Sequence, residues 1–147
     1  MNKGLVAKNE VEINAYVSEV WNALIDPELI KQYLFGTEAI SEWKVGSYIF
    51  FRGTWEGNAY EDKGLILKIE TNKIFQYSYW TSFSGLEDKL RNYVNITYEL
   101  VEKGSKTLLS ITQDSVLTEE MVSGISENWG NILKVLKDVV EKNTNNE

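Results

Sequence analysis

Two groups of carboxylates and one isolated arginine are the residues of this sequence best suited to bond-making chemistry. Glu56, Glu61 and Asp62 gather around a turn at Gly57, and Glu87 and Asp88 stand together in a polar stretch ahead of Tyr93. Paired carboxylates divide the work of acid and base when their surroundings push their pKa values apart. At turns, water surrounds both members alike, so these positions predict solvated charge rather than catalysis. Arg52 stands alone in the aromatic run Tyr48 to Trp55 and would anchor an anionic head group if it pointed inward. Strand alternation instead turns Ile49, Phe51 and Trp55 inward and Arg52 outward. No nucleophile stands beside a base and no glycine-rich phosphate loop occurs. The chain has no His and no Cys, which removes the commonest general base, thiol chemistry, disulfides and the usual zinc ligands. The reading is therefore no catalytic residue, no metal and no cofactor.

Binding chemistry is better represented. The aromatic content is 12%, and the rings recur on alternating positions of several strands. Tyr33, Trp43, Phe51, Trp55, Phe75, Tyr77, Tyr79, Tyr98, Gln113, Ile125, Trp129 and Leu133 are the candidate lining of a ligand cavity. Ordinary core packing accounts for any one of these rings, because aromatics dominate cores. As a set they also suit a cavity wall, which is mostly apolar with a few placed polar groups. Gln113 is the candidate polar group, with Asn95 and Thr97 as further strand residues that alternation turns toward solvent.

These residues must be positioned by a sheet and one dominant helix. Leu5 to Asn14 alternates as a half-buried strand. Val17, Val20, Trp21 and Leu24 then form one helical stripe. Pro27, the single proline, opens a second short helix that ends near Tyr33-Leu34. Strand patterns follow at Thr37 to Ile40, Tyr48 to Trp55, Tyr60 to Glu70 (with Leu65, Leu67 and Ile69 facing one way), Phe75 to Tyr79, Tyr93 to Val101 and Thr107 to Gln113. Turns at Trp43 to Gly46, Glu56 to Asn58, Thr71 to Lys73 and Glu102 to Ser105 separate them, and a polar loop covers Ser82 to Asn92. Strands joined by short turns pair antiparallel.

Thr118 to Lys142 is the largest element, with Thr118 as N-cap and Glu119 and Glu120 at the positive end of the helix dipole. Met121, Val122, Ile125, Trp129, Ile132, Leu133, Leu136, Val139 and Val140 recur on one face. At ~1.5 Å per residue this helix is long enough to cross a small domain. An antiparallel sheet with one apolar face needs such a cover. Gly130 admits two readings, close packing of helix on sheet or room for a cavity beside Trp129. The sequence of 147 residues reads as one domain, 1–147, with a frayed tail at 143–147.

Composition excludes several partners. The net charge is −7 with no Lys/Arg cluster, so a nucleic acid, which requires concentrated positive charge, is not expected. No apolar run approaches the ~20 residues of a membrane span, and no signal-peptide pattern follows Met1. A cytoplasmic protein without membrane insertion is the expectation.

The order of elements, with several local phrases, resembles the START-like (SRPBCC, helix-grip) superfamily, and within it the group related to the activator of the heat-shock-protein-90 ATPase. The phrases are Val11 to Ala15, Val20 to Tyr33, Trp43 to Ser47, Gly64 to Glu70, Ile96 to Leu100 and Asn128 to Leu133. They cover nearly the whole chain. Family members often carry Trp at the position of Tyr33, and His or Gln near Gln113. The resemblance implies an α+β helix-grip fold, a curved antiparallel sheet of about seven strands wrapped on the C-terminal helix. It implies a cavity between helix and sheet for a small hydrophobic molecule, held without catalysis and opening near the Ser82 to Asn92 loop and the short helices. The alternative is a co-chaperone-like module, with a chaperone protein as partner, a role in stress response and a sheet face or edge as its interface. Exposed aromatics on the face away from the long helix would favour it. A third class is a cyclase- or hydrolase-like enzyme working in the same cavity.

Overall fold

Among the described residues, 4–145, the computed structural model shows a seven-stranded antiparallel sheet with three α-helices. Strand β1 (Leu5–Ile13) leads into α1 (Val17–Ile25) and α2 (Pro27–Tyr33). The chain then winds through β2 (Glu38–Ser41), β3 (Tyr48–Trp55), β4 (Asn58–Glu70), β5 (Ile74–Tyr79), β6 (Val94–Lys103) and β7 (Lys106–Val116), and ends in α3 (Glu119–Asn145). The order across the sheet is β1-β7-β6-β5-β4-β3-β2, so from β2 onward every strand pairs with its successor. This is the helix-grip arrangement the sequence leads one to expect.

Local chemistry explains the joints. Pro27 supplies no amide hydrogen to α1 and starts α2 instead, and the Asp26 carboxylate caps α2 by accepting from the Glu28 N–H at 2.9 Å. The β3–β4 hairpin turns through Glu56 and Gly57, both at positive φ (49° and 81°), as a two-residue hairpin turn of the primed type requires. The buried Thr107 hydroxyl donates to the Ala15 carbonyl at 2.9 Å, fastening β7 to the start of α1.

Strand β4 departs from simple alternation. Tyr60, Asp62, Gly64 and Ile66 share the inner face, whereas Leu65 and Leu67 turn outward, and Ile69 does not share their side, contrary to expectation. A bulge between Ile66 and Lys68 then shifts the register, so that Ile69 packs on the core. One extra residue reverses the facing of everything beyond it. At Gly64 the β4 and β5 backbones come so close that a Cβ would overlap the Ser78 carbonyl oxygen. Beyond it the ladder is reduced to one bridge, Lys63 to Trp80.

Helix α3 is capped as expected, with the Thr118 hydroxyl accepting from the Met121 N–H at 3.1 Å. It lies chiefly along β1 rather than across the middle of the sheet. Gly130 serves that close packing. A Cβ there would come within 2.6 Å of Asn9 Nδ2, which donates to the Ser126 carbonyl at 2.9 Å. Leu133, Leu136 and Val140 in its C-terminal half are fully buried, together with Ile13, Leu109 and Ile111 of the sheet. Glu141 accepts from the Asn14 N–H at 2.8 Å and from Lys137, whose ammonium also reaches the Glu12 carbonyl. Helix α3 is described to Asn145, and residues 146 and 147 of the tail expected to fray at 143–147 lie outside the described residues. The N-terminal half of α3 is different: Met121 is exposed and a Cβ at Gly124 would meet nothing within 4 Å.

Candidate functional site

Because α3 sits toward one edge of the sheet, its N-terminal half and the inner face of β3, β4 and β5 enclose a cavity of about 620 Å³. Phe51, Tyr77 and Tyr79 form one wall, their ring centroids 5.5–6.2 Å apart. Ile125, Trp129 and Ile132 of α3 form the opposite wall. Gln113 stands between them, its Oε1 accepting from Trp129 Nε1 at 3.0 Å, which fixes the plane of the indole. Of the residues expected at the cavity, Phe51, Trp55, Tyr77, Tyr79, Gln113, Ile125 and Trp129 are on its wall.

Tyr33, Trp43, Phe75, Tyr98 and Leu133 lie instead in the packed layer away from the wall. Tyr33 is spent on structure, its hydroxyl donating to the Ala23 carbonyl at 2.9 Å. Phe75 is the hub of an aromatic cluster, edge-on to Trp21 at 6.5 Å, against Trp43 at 6.1 Å and stacked on Tyr98 at 6.3 Å. Burial pushes the phenols of Tyr33, Tyr77 and Tyr98 up, and Tyr79 is raised by burial and then by the neighbouring Asp62 charge. These hydroxyls therefore keep their protons and serve as hydrogen-bond donors, not as bases.

The mouth of the cavity carries rings that the sequence pattern does not place there. Phe35, Trp55 and Phe83 are 74%, 61% and 60% exposed while lining the same space. Trp55, expected inward, thus stands at the rim because β3 ends there. Phe35 follows α2 with a left-handed φ of 55°, and Phe83 belongs to a short 3-10 turn, Ser82–Ser84, inside the predicted polar loop. The Tyr60 ring packs against Phe83 at 5.3 Å, and its hydroxyl meets Thr37 Oγ1 at 2.5 Å. Tyr60 lies directly over Gly53, where any side chain would displace it. Gly124 and Asn128 of α3 complete the rim.

Asp62 is the main correction. Expected to be a solvated turn residue, it is 5% exposed and faces the cavity from the inner side of β4, opposite Phe51 in the ladder. Its Oδ2 accepts from the Tyr79 hydroxyl at 2.7 Å and its Oδ1 from the Ser82 N–H at 3.2 Å. The parity of β4 was the available signal, since Tyr60, Asp62, Gly64 and Ile66 alternate. The other acidic residues behave as expected. Glu61 pairs with the outward Arg52, and Asp88 pairs with Lys63 at 2.5 Å while accepting from the Tyr93 hydroxyl. Among the described residues no group of three or more His, Cys, Asp or Glu converges as a metal site, and no helix is long and apolar enough to cross a membrane.

The outer face of the sheet bears a second aromatic feature. Tyr48, 62% exposed, stacks on Phe50 at 5.8 Å, and the Arg52 guanidinium lies over the Phe50 ring at 5.3 Å. Thr97 is also on this face, covered by Gln76, whose amide donates to its hydroxyl at 2.9 Å.

Comparison with known proteins places this geometry in context. The family model described as Activator of Hsp90 ATPase homolog 1-like protein matches residues 14–141. The solution structure of ChR145 from Cytophaga hutchinsonii is similar with a TM-score of 0.85 and 39% identity, over 99% of this chain and 99% of that one. The Aha1 dimer from Colwellia psychrerythraea matches with a TM-score of 0.72 at 16% identity, over 93% and 96% of the two chains. Protein MLL2253 from Mesorhizobium loti matches with a TM-score of 0.74 at 18% identity, over 94% and 98%. The last two likenesses concern the fold. No curated protein matches the sequence.

Proposed function

The chain belongs to the Activator of Hsp90 ATPase homolog 1-like protein family, and from that premise we propose that it is a non-enzymatic binding module, a single START-like domain that holds a small hydrophobic molecule between α3 and the sheet. The observation that carries this reading is the open cavity of about 620 Å³. Pockets for small molecules commonly measure ~300–1,000 Å³ and combine apolar walls with few polar groups. The aromatic residues could have filled this space, and they do not. Three exposed rings at its rim, Phe35, Trp55 and Phe83, offer an apolar threshold that a solvated surface has no use for.

Native mass spectrometry of the purified protein, followed by a thermal-shift screen against lipids and aromatic metabolites, tests the reading. A ligand that binds only the folded state raises the melting temperature, by about 2.7 kcal/mol of added stability at a hundredfold excess over Kd. The expected result is a co-purifying mass or a reproducible upward shift that Trp129→Leu abolishes while remaining folded. No bound mass and no shift across the screen would sink the cavity reading.

A second reading has its own observation. The exposed Tyr48 and the half-buried Phe50 it stacks on, with Arg52 above, lie on the sheet face away from α3 and suit a protein-interaction module of the co-chaperone kind. Aromatic and Arg side chains are the usual anchors of such interfaces. With a heat-shock-protein-90 chaperone as bait, capture that falls about tenfold on Tyr48→Ala supports this reading. Capture indifferent to Tyr48, or none, counts against it.

A further inference from the structure

The charge on the cavity wall bears on the chemistry of a ligand. Among the described residues lining the cavity, Asp62 is the only one with a formal charge, and no Lys or Arg stands on the wall to match it. A carboxylate taken out of water is costly unless it is paired and hydrogen-bonded. Asp62 has the hydrogen bonds, from Tyr79 and Ser82, but no ion pair among the described residues. Two donors leave acceptor capacity on both oxygens, since an ionised carboxylate offers about four lone-pair sites. The rings beside it are Tyr79, its hydrogen-bond donor, Phe51, its ladder partner, and Tyr77, in contact with both. These rings meet tilted or edge to face, and a π-face next to a carboxylate attracts a cation by quadrupole and by charge together.

We propose that the cavity takes a hydrophobic cation, an amine or quaternary ammonium on an aromatic or aliphatic body, with the positive head at Asp62 and the body against Trp129 and Ile132. The inference rests on the cavity being a ligand site and goes further by fixing the sign of the ligand's charge. Fatty acids and other carboxylates are disfavoured by the same wall. The protein's net charge of −7 works in the same direction at longer range.

Isothermal titration calorimetry with three probes sharing one body, naphthylmethylamine, naphthylmethanol and naphthylacetate, separates the possibilities. The amine is expected to bind about tenfold tighter than the alcohol, with the acetate weakest. Asp62→Asn, which keeps the shape of the side chain, should bring the amine-to-alcohol affinity ratio to about one. An alcohol that binds as well as the amine, or an amine preference that survives Asp62→Asn, overturns the inference and leaves the cavity reading standing. Failure of all three probes to bind overturns both. The ranking on the unaltered protein is decisive by itself should the variant not fold.

Discussion

Gly64→Ala is expected to be the most destabilising small substitution on the inner face of the sheet, at about 3 kcal/mol or more. Its Cβ would occupy the space of the Ser78 carbonyl oxygen, and that neighbour is backbone, so no rotamer change can relieve the overlap. Relief requires β4 and β5 to separate. The Leu65 N–H to Ser78 Oγ hydrogen bond (3.0 Å) and the Lys63–Trp80 bridge lie on either side of Gly64 and would be the first to break. The same close approach sets the wall on which Asp62 and Tyr79 meet, so ligand capacity should fall with stability. The matched control is Gly124→Ala. There a Cβ meets nothing within 4 Å and the residue is helical, so a gain of about 0.5–1 kcal/mol is expected from helix propensity alone. Urea denaturation of both variants checks the pair. A Gly64→Ala midpoint equal to that of the unaltered protein would mean that the strands separate at no cost and that their close approach does not set the wall.

The fold was legible because its elements have distinct periods. The helical stripes at Val17 to Leu24 and along α3, and the strand alternation of Phe75, Tyr77 and Tyr79, each match their observed element. Half of the cavity was legible for the same reason, since Phe51, Tyr77, Tyr79 and Gln113 all follow from which way a strand residue points. What alternation cannot supply is position along the strand relative to the cover. Phe75 and Tyr98 face the same side as Tyr77, yet the packed elements above them close that region, whereas the shifted N-terminal half of α3 leaves Tyr77 on an open wall.

Asp62 was missed because its place beside Glu61, close to the turn at Gly57, reads as solvated turn charge. Parity separates the two neighbours, with Glu61 on the face of Leu65 and Leu67 and Asp62 on the face of Gly64 and Ile66. The bulge between Ile66 and Lys68 is what makes Ile69 differ from Leu65 and Leu67. No residue type announces a bulge of that kind, so Leu65, Leu67 and Ile69 read as one face, and the inner set Tyr60, Asp62, Gly64 and Ile66 stayed unmarked. The rim residues Phe35 and Phe83 escaped for another reason: they sit in irregular segments, where no period applies.

Gly124→Phe is expected to lower affinity for a neutral apolar probe such as naphthylmethanol by about tenfold, or 1.4 kcal/mol, without lowering stability. The two effects point in opposite directions, and that is its value. A Cβ at Gly124 meets nothing within 4 Å, so a side chain can leave the helix there without backbone overlap, and replacing Gly within a helix favours folding by about 0.5 kcal/mol. The same ring, carried by α3 at the rim beside Ile125 and Asn128, takes up room a ligand would need. Most substitutions that weaken binding also weaken the fold, which leaves the cause ambiguous. Here a melting temperature that holds or rises while the calorimetric affinity falls can only come from occupation of the cavity mouth. Unchanged affinity in a folded Gly124→Phe protein would place the probe elsewhere, and attention would pass to the Tyr48–Phe50 face, which this substitution does not touch.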